Sequence, residues 1–147
     1  MVDDKDLLIL EELKKNARAS TKTIAASIDL PRVTVHDRIH KMLTTGVIKT
    51  FNVSIDYAKL GFTTEAYIFI SFLPNPDLSQ RELAKRIASF PGVYEVHIIS
   101  GEYDLLLKVR GKSLEDIGAL VVDKLRSVKG VGRTLTCACF ETIKEEL

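Results

Sequence analysis

Cysteine is scarce in these 147 residues, occurring only at Cys137 and Cys139. Strand alternation would put both on one face, a poor geometry for a bridge, so a disulfide-stapled scaffold is excluded. Two thiols also fall short of the four ligands of a structural zinc site. In their apolar stretch they read as plain packing residues. Long apolar runs are missing as well, none approaching the ~18 residues of a membrane span. The chain opens Met1, Val2, Asp3, Asp4, Lys5, Asp6, without the basic and hydrophobic start of a secretory signal. A cytoplasmic protein is expected. Overall charge is small, a formal +1, which says little for a nucleic-acid partner until its distribution is considered.

What is present is ordinary globular content: 46% hydrophobic and 28% charged residues, enough for a packed core and unlike disorder or a fibrous repeat. The length allows one domain or two small ones, since domains run from roughly 50 to 250 residues. The bases are unevenly placed. From Arg18 to Lys49 stand Arg18, Lys22, Arg32, Arg38, Lys41 and Lys49 against only Asp29 and Asp37, a local excess of four positive charges.

The same third of the chain is helical by its spacing. Asp3 and Asp6 precede Leu7, Leu8, Ile9, Leu10 and Leu13, placing acids at the positive end of a helix over residues 4–15. Ile9, Leu10 and Leu13 share one face of it. Ser20 caps a second helix over residues 21–27, with Ile24, Ala25 and Ile28 inward. Residues 28–30 turn, and Pro31 suits the first position of a third helix, where its missing N–H costs nothing. On that helix Val35, Ile39, Met42 and Leu43 form the inner stripe. Gly46 ends it in a left-handed position, and the alternation of residues 47–55 reads as a hairpin, or wing.

Three short helices with a tight turn before the third are a helix-turn-helix, whose last helix enters the major groove. The groove-facing candidates are Arg32, Val33, Thr34, His36, Asp37, His40 and Lys41, and double-stranded DNA is the implied partner. Arg and Lys suit guanine edges or phosphates, His and Thr serve either, and Val33 suits a thymine methyl. The bland alternative is a solvated charged face. Arg38 flanks the inner stripe and reads first as an ion-pair partner of an acid on the first helix, with a phosphate clamp as the other reading. His36 and His40 have metal-ligand spacing, but no glutamate stands between them and no third ligand is evident, so no metal or other cofactor is implied.

The rest of the chain repeats strand, helix, strand. Residues 64–72 are β-branched and aromatic and stop at Pro74 and Pro76. Ser79 and Glu82 form a capping box for a helix carrying Leu83, Ala84, Ile87 and Ala88, ended by Pro91 and Gly92. Strands follow over residues 93–99 and 104–110, joined by a turn at Gly101, Glu102 and Tyr103. Ser113 starts a second helix with Leu114, Ile117, Val121 and Leu125 inward, and a last strand runs over residues 133–143.

The order βαββαβ, with Pro91, Gly92, Val93 echoed by Lys129, Gly130, Val131, is the ferredoxin-like split unit: an antiparallel sheet with both helices on one face. Its other face would carry Tyr67, Phe69, His97, Leu106 and Thr136. So much bare apolar surface predicts sheet-to-sheet dimerisation, which also sets two recognition helices ~34 Å apart. The fold class is therefore α+β, a winged helix-turn-helix followed by a ferredoxin-like βαββαβ domain. Residues 1–50 read as the DNA-binding domain, 51–63 as the wing strand and linker, and 64–147 as the oligomerisation domain, to which the family resemblance given next adds effector binding.

Along essentially its whole length the chain resembles the leucine-responsive and asparagine regulator (Lrp/AsnC) family. The resemblance is carried by Asp3, Asp6, Ile9, Leu10 and Leu13, by Ala17 and Arg18, and by Thr34, Val35, Arg38, Ile39, Leu43, Gly46, Val47 and Ile48. Later it is carried by Gly101, Glu102, Tyr103, Asp104, Leu105 and Leu106, and by Gly130, Val131, Arg133, Thr134 and Thr136. Where the family usually caps the recognition helix with serine, this chain has Pro31.

The resemblance implies a transcription regulator that forms dimers, often joined into octamers, with an amino acid bound between dimers. Carried over by position, the effector site comprises Gly101, Glu102, Tyr103, Asp104, Thr134 and Thr136. Backbone N–H groups of the glycine turn would hold a carboxylate, Asp104 would pair with an ammonium group, and the threonines would add hydroxyl bonds. The bland reading is a tight hairpin at Gly101 capped by Asp104. Gly118, Val121 and Val122 offer no charge, so a neutral amino acid is expected. An enzyme has no supporting constellation here. The alternative is an amino-acid-sensing or assembly module that does not bind DNA.

Overall fold

Contacts divide the chain between Ile55 and Asp56 in this computed structural model, which describes residues 2–145. The expected domain limits at residues 1 and 147 lie outside the described residues, and the contact division falls within the segment read as wing and linker.

In the first unit, α1 spans Asp4–Lys15, α2 Thr21–Ser27 and α3 Arg32–Thr44. Asp3 caps α1 in a full capping box with Asp6, each side chain accepting from the other's backbone N–H. Ser20 caps α2 by accepting from the Thr23 N–H. Pro31 is the cap of α3 rather than its first helical residue, with ψ 137 and no side-chain bond, so the helix begins one residue later than expected. Asp29 turns the chain at φ 51, a left-handed conformation that few side chains other than Asn and Asp tolerate.

Ile9, Leu13, Ile24, Ala25, Val35, Met42 and Ile48 close the core, with Leu10, Ile28 and Ile39 packed beside it. Leu43, expected on the inner stripe, is 38% exposed. Gly46 follows the helix at φ 75, as its position required.

Arg38 faces α1. Its Nη1 donates to Asp3 Oδ1 at 2.7 Å and to Asp6 Oδ1 at 2.8 Å, and Asp6 is one of the few charged side chains buried here. The helix-to-helix ion pair is thus present, and α3 cannot rotate about its axis without breaking it.

No hairpin follows Gly46. Residues 49–56 carry no strand, and only Ile48 of the segment is buried, with Val47, Phe51, Val53 and Ile55 exposed. The wing expected there is corrected for a physical reason: nothing in residues 47–55 forms the tight turn that would fold the segment onto itself, and an isolated two-stranded ribbon gains too little to hold.

In the second unit a short 3-10 turn at Ala58–Leu60 leads to β1 (Thr64–Phe72), α4 (Gln80–Ala88), β2 (Val93–Ile98) and β3 (Leu105–Gly111). Then come α5 (Leu114–Ala119), a wider π turn (Leu120–Lys124), a tight 3-10 turn (Leu125–Ser127) and β4 (Val131–Cys139). The second helix is therefore one helical run of changing pitch. Leu114 opens it and is 60% exposed, so the buried stripe starts at Ile117 and continues through Leu120, Val121 and Leu125. The last strand starts two residues earlier than expected and stops at Cys139, not residue 143.

All pairings are antiparallel, and the strand order is β2-β3-β1-β4. One sheet face sends Ala66, Ile68, Ile70, Leu105, Leu107 and Val109 into a core closed by Leu83, Ile87, Ile117 and Leu125. Directly paired residues share a face. By register, the other face therefore carries Tyr67, Phe69, Leu106, Lys108, Leu135 and Cys137. Thr136 pairs with Ile68 and stands on the helix side, which corrects its expected place beside Tyr67 and Phe69. Neither cysteine belongs to the core; Cys137 is exposed on the open face. Among the described residues no helix is long and apolar enough to cross a membrane.

Hydrogen bonds from Arg38 hold the Asp3 and Asp6 carboxyls below their ordinary value of 3.8. A carboxyl with a depressed folded value stabilises the fold above its unfolded value and loses that contribution as pH falls through the folded one. Denaturant unfolding should therefore show the helical unit weakening below about pH 4, and Asp3→Asn/Asp6→Asn should flatten that dependence.

Candidate nucleic-acid interface and effector loop

With Val35 and Met42 buried, the remaining sides of α3 must face outward. Val33 is 70% exposed, and the His36 and Asp37 side chains are similarly open and hydrogen-bonded to each other at 3.2 Å. Arg32, His40 and Lys41 are exposed, while Thr34 is half-buried. Arg32 reaches back to α2, its Nε donating to Thr21 Oγ1 at 3.4 Å.

Six of the seven groove-facing candidates are thus exposed on one helix and the seventh is half-buried at its edge. A hydrophobic methyl, two imidazoles, a carboxylate and two bases supply the donor, acceptor and apolar groups that distinguish base edges. Arg18, Lys22 and Lys49 are exposed on the same unit and suit phosphates. Arg38 is withdrawn from that role by its two carboxylates.

Residues 101–104 close the connection between β2 and β3. Gly101 has φ 132, a left-handed value that a side chain would strain, although the space beside it is open. Asp104 is tied down: its N–H donates to Ile70 O at 2.9 Å, its carbonyl accepts from the Ile99 N–H at 2.9 Å, and its Oδ2 accepts from the Phe72 N–H at 2.6 Å. The carboxylate therefore caps the end of β1. Glu102 accepts from the Arg133 guanidinium at 3.2 Å, and that guanidinium also lies 5.6 Å from the Tyr103 ring. Tyr103 in turn tilts against Phe69, with ring centroids 5.6 Å apart.

Glu102 and Tyr103 are thus gathered with Arg133 and Phe69, on the side of the open sheet face. Thr134 and Thr136 share the opposite face, where Thr134 accepts from Arg126 Nε at 3.2 Å. One chain does not bring the six effector candidates into one site. Two surface pockets, of about 300 and 500 Å³, are lined by other residues. Arg126 was not singled out from the sequence, and Arg133 was named there only for the family resemblance, because their contacts with Thr134, Glu102 and Tyr103 arise from tertiary packing. Of the residues offered for selectivity, Val121 is buried and Val122 is exposed.

On the open face, Lys108 is only 4% exposed and is paired with Glu145, with Glu65 Oε2 3.6 Å away. Burial alone would pull its pKa down, but the two carboxylates outweigh it and the net direction is up. Arg110, beside it, donates to Glu65 at 2.9 Å and stacks on Tyr57 and Tyr94.

A trihelical reader followed by a four-stranded α+β domain defines a two-part regulator of the helix-turn-helix class. Residues 2–43 match the AsnC-type helix-turn-helix domain, and residues 65–147 match the Lrp/AsnC ligand binding domain. The chain belongs to the Lrp/AsnC family of transcriptional regulators.

An uncharacterized HTH-type transcriptional regulator of Pyrococcus furiosus is 47% identical over 147 residues, covering 100% of this chain and 98% of that protein. The HTH-type transcriptional regulator LysM of Saccharolobus solfataricus is 34% identical over 141 residues, with 96% and 95% covered. A Neisseria meningitidis transcriptional regulator, solved as its L-Met complex, superposes with a TM-score of 0.93 at 20% identity, covering 99% of this chain and 94% of that one. AsnC of E. coli gives 0.89 at 22% identity, with 100% and 97% covered. These relatives are transcriptional regulators and not enzymes.

Asp104→Ala should cost about 1–3 kcal/mol in denaturant unfolding, because it strands a part-buried Phe72 N–H. Glu102→Ala, which removes only an exposed pair, should unfold like the parent.

Proposed function

We propose that this regulator reads specific duplex DNA sequences through α3 and adjusts that binding when a neutral amino acid occupies a site built on residues 101–104. The observation that carries the reading is the exposed face of α3, where Arg32, Val33, His36, Asp37, His40 and Lys41 stand together while Arg38 is spent on α1. Arg32 and His36 read base edges, Lys41 neutralises phosphate, and Asp37 accepts from a cytosine amino group. Thr34, at the edge of the face, bonds the backbone.

The effector reading rests on two supports: the glycine-dependent loop at Gly101, and the structural neighbour solved with L-Met. Because Asp104 is engaged as a cap, the ligand's carboxylate meets the loop N–H groups and its ammonium group meets Glu102. Thr134 and Thr136 come from a second copy, since within one chain they lie on the other face of the sheet. The protein works in the cytoplasm as a homodimer formed through the open sheet face, and dimers join into a larger ring such as an octamer. Tyr67, Phe69, Leu106 and Leu135 supply the apolar area for the first contact.

Binding to the protein's own promoter should fall linearly on a logarithmic salt scale. Lys41→Ala should weaken all sequences alike and reduce that slope by about 1, whereas Arg32→Ala should cost about 1–3 kcal/mol at one base position and relax preference there. His36→Ala should likewise shift preference. Parent-like binding by all three variants would overturn the reading of α3.

Calorimetry across the twenty amino acids should find a neutral one, and the protein should sediment as a dimer or larger. A strictly charged effector, or a monomer at micromolar concentration, would overturn those parts.

A further inference from the structure

Beyond β4 the chain crosses the open sheet face. Cys139, Glu65 and Arg110 are neighbours in register on β4, β1 and β3, with Lys108 on the same face. Thr142 Oγ1 donates to Glu65 Oε1 at 3.4 Å and lies 3.6 Å from Cys139 Sγ. Glu145 then pairs with Lys108, and its Oε1 is 3.7 Å from Arg110 Nη2. Two strand spacings amount to about 10 Å, well within the reach of residues 140–145. The segment is therefore a strap laid from β4 over β1 to β3, tied at Thr142 and again at Glu145.

The two sides of this strap are the reverse of what a solvent-facing segment adopts. Thr142 and Glu145 spend polar groups on the sheet, while Phe140 is fully exposed and Ile143 is 85% exposed. Among the described residues no large apolar side chain is more exposed than these two. A segment packed on a monomer gains by laying its apolar side chains down and leaving carboxylates and hydroxyls in water. Here the sheet beneath is itself charged, and Lys108 and Arg110 take Glu65 and Glu145 as counter-ions. The apolar side of the strap is left facing outward, on the same side of the sheet as Tyr67, Phe69, Leu106 and Leu135.

We propose that residues 140–145 belong to the contact between two copies of this chain, with Phe140 and Ile143 packing on the second copy's open sheet face. This rests on the homodimer reading of that face and adds a contact that the four strands do not supply. A second copy is the occupant because the outward side chains continue the same apolar face, so one two-fold contact buries both. Charge points the same way. Lys108, Arg110, Glu65 and Glu145 are answered within one chain, so the contact closes over them without a charged group from the other copy.

The test measures the dimer dissociation constant of the full chain by fluorescence-detected sedimentation from nanomolar to micromolar concentration. Phe140→Ser/Ile143→Ser should weaken dimerisation about 100-fold or more, because each change occurs twice in a two-fold contact and a few buried anchors carry most of an interface's energy. Circular dichroism should show that variant folded like the parent, since neither side chain is in the core. Leu114→Ser, which removes an exposed leucine on α5, should dimerise like the parent. A photoreactive phenylalanine analogue in place of Phe140 should join two chains through strand residues of the open face. A parent dimer that the double variant matches in affinity would overturn the role of the strap and leave the dimer standing. Crosslinks confined to one chain, or made to the helices of another, would do the same. A parent that stays monomeric would overturn both the strap contact and the homodimer reading.

Discussion

Each amphipathic layer of this protein can be buried on one side only, and that constraint leaves its other side turned away from the core. In the helical unit Val35 and Met42 turn one side of α3 inward. In the sheet unit Ile68, Ile70, Leu105 and Leu107 do the same for the strands. Hydrophobic burial decides which side goes in, while polar and electrostatic contacts set the angle at which the remaining side is offered. Arg38 is the clearest case, because its bonds to Asp3 and Asp6 fix the rotation of the very helix that carries the exposed candidate side chains.

A count of charges therefore misleads in two directions. The formal +1 hides a basic helical third, yet one of the bases in that third is neutralised by α1 and contributes nothing outward. The same discrimination operates on the sheet. Lys108 and Arg110 are held by Glu65 and Glu145, so two cations on the open face are already answered within the chain and do not make it a basic surface.

The helices were legible because their caps and spacings are local. Asp3 with Asp6, Ser20 with Thr23, and Ser79 with Glu82 each need only three residues to act, and all three caps are present. The wing was not legible, because alternation in residues 47–55 states a capacity to pair and says nothing of a partner. Thr136 was misplaced for a related reason: a strand shows its two faces plainly, but only its register against Ile68 decides which of them meets the helices. The split of the effector candidates across the sheet had no signal in the chain at all, since strand pairing rather than spacing puts Glu102 on the open side and Thr134 on the helix side.

Local chemistry alone determined the three-helix reader, the βαββαβ order and the identity of the side chains offered on α3, since capping, periodicity and turn residues act over a few positions. Tertiary structure decided the rest: that Arg38 serves α1, that Asp104 caps β1, and that Thr134 and Tyr103 stand on opposite sides. Those outcomes depend on groups 30 or more residues apart meeting at hydrogen-bonding or packing distance. No local pattern carries that information, because the pairing of distant strands and helices is settled by the burial of the whole chain.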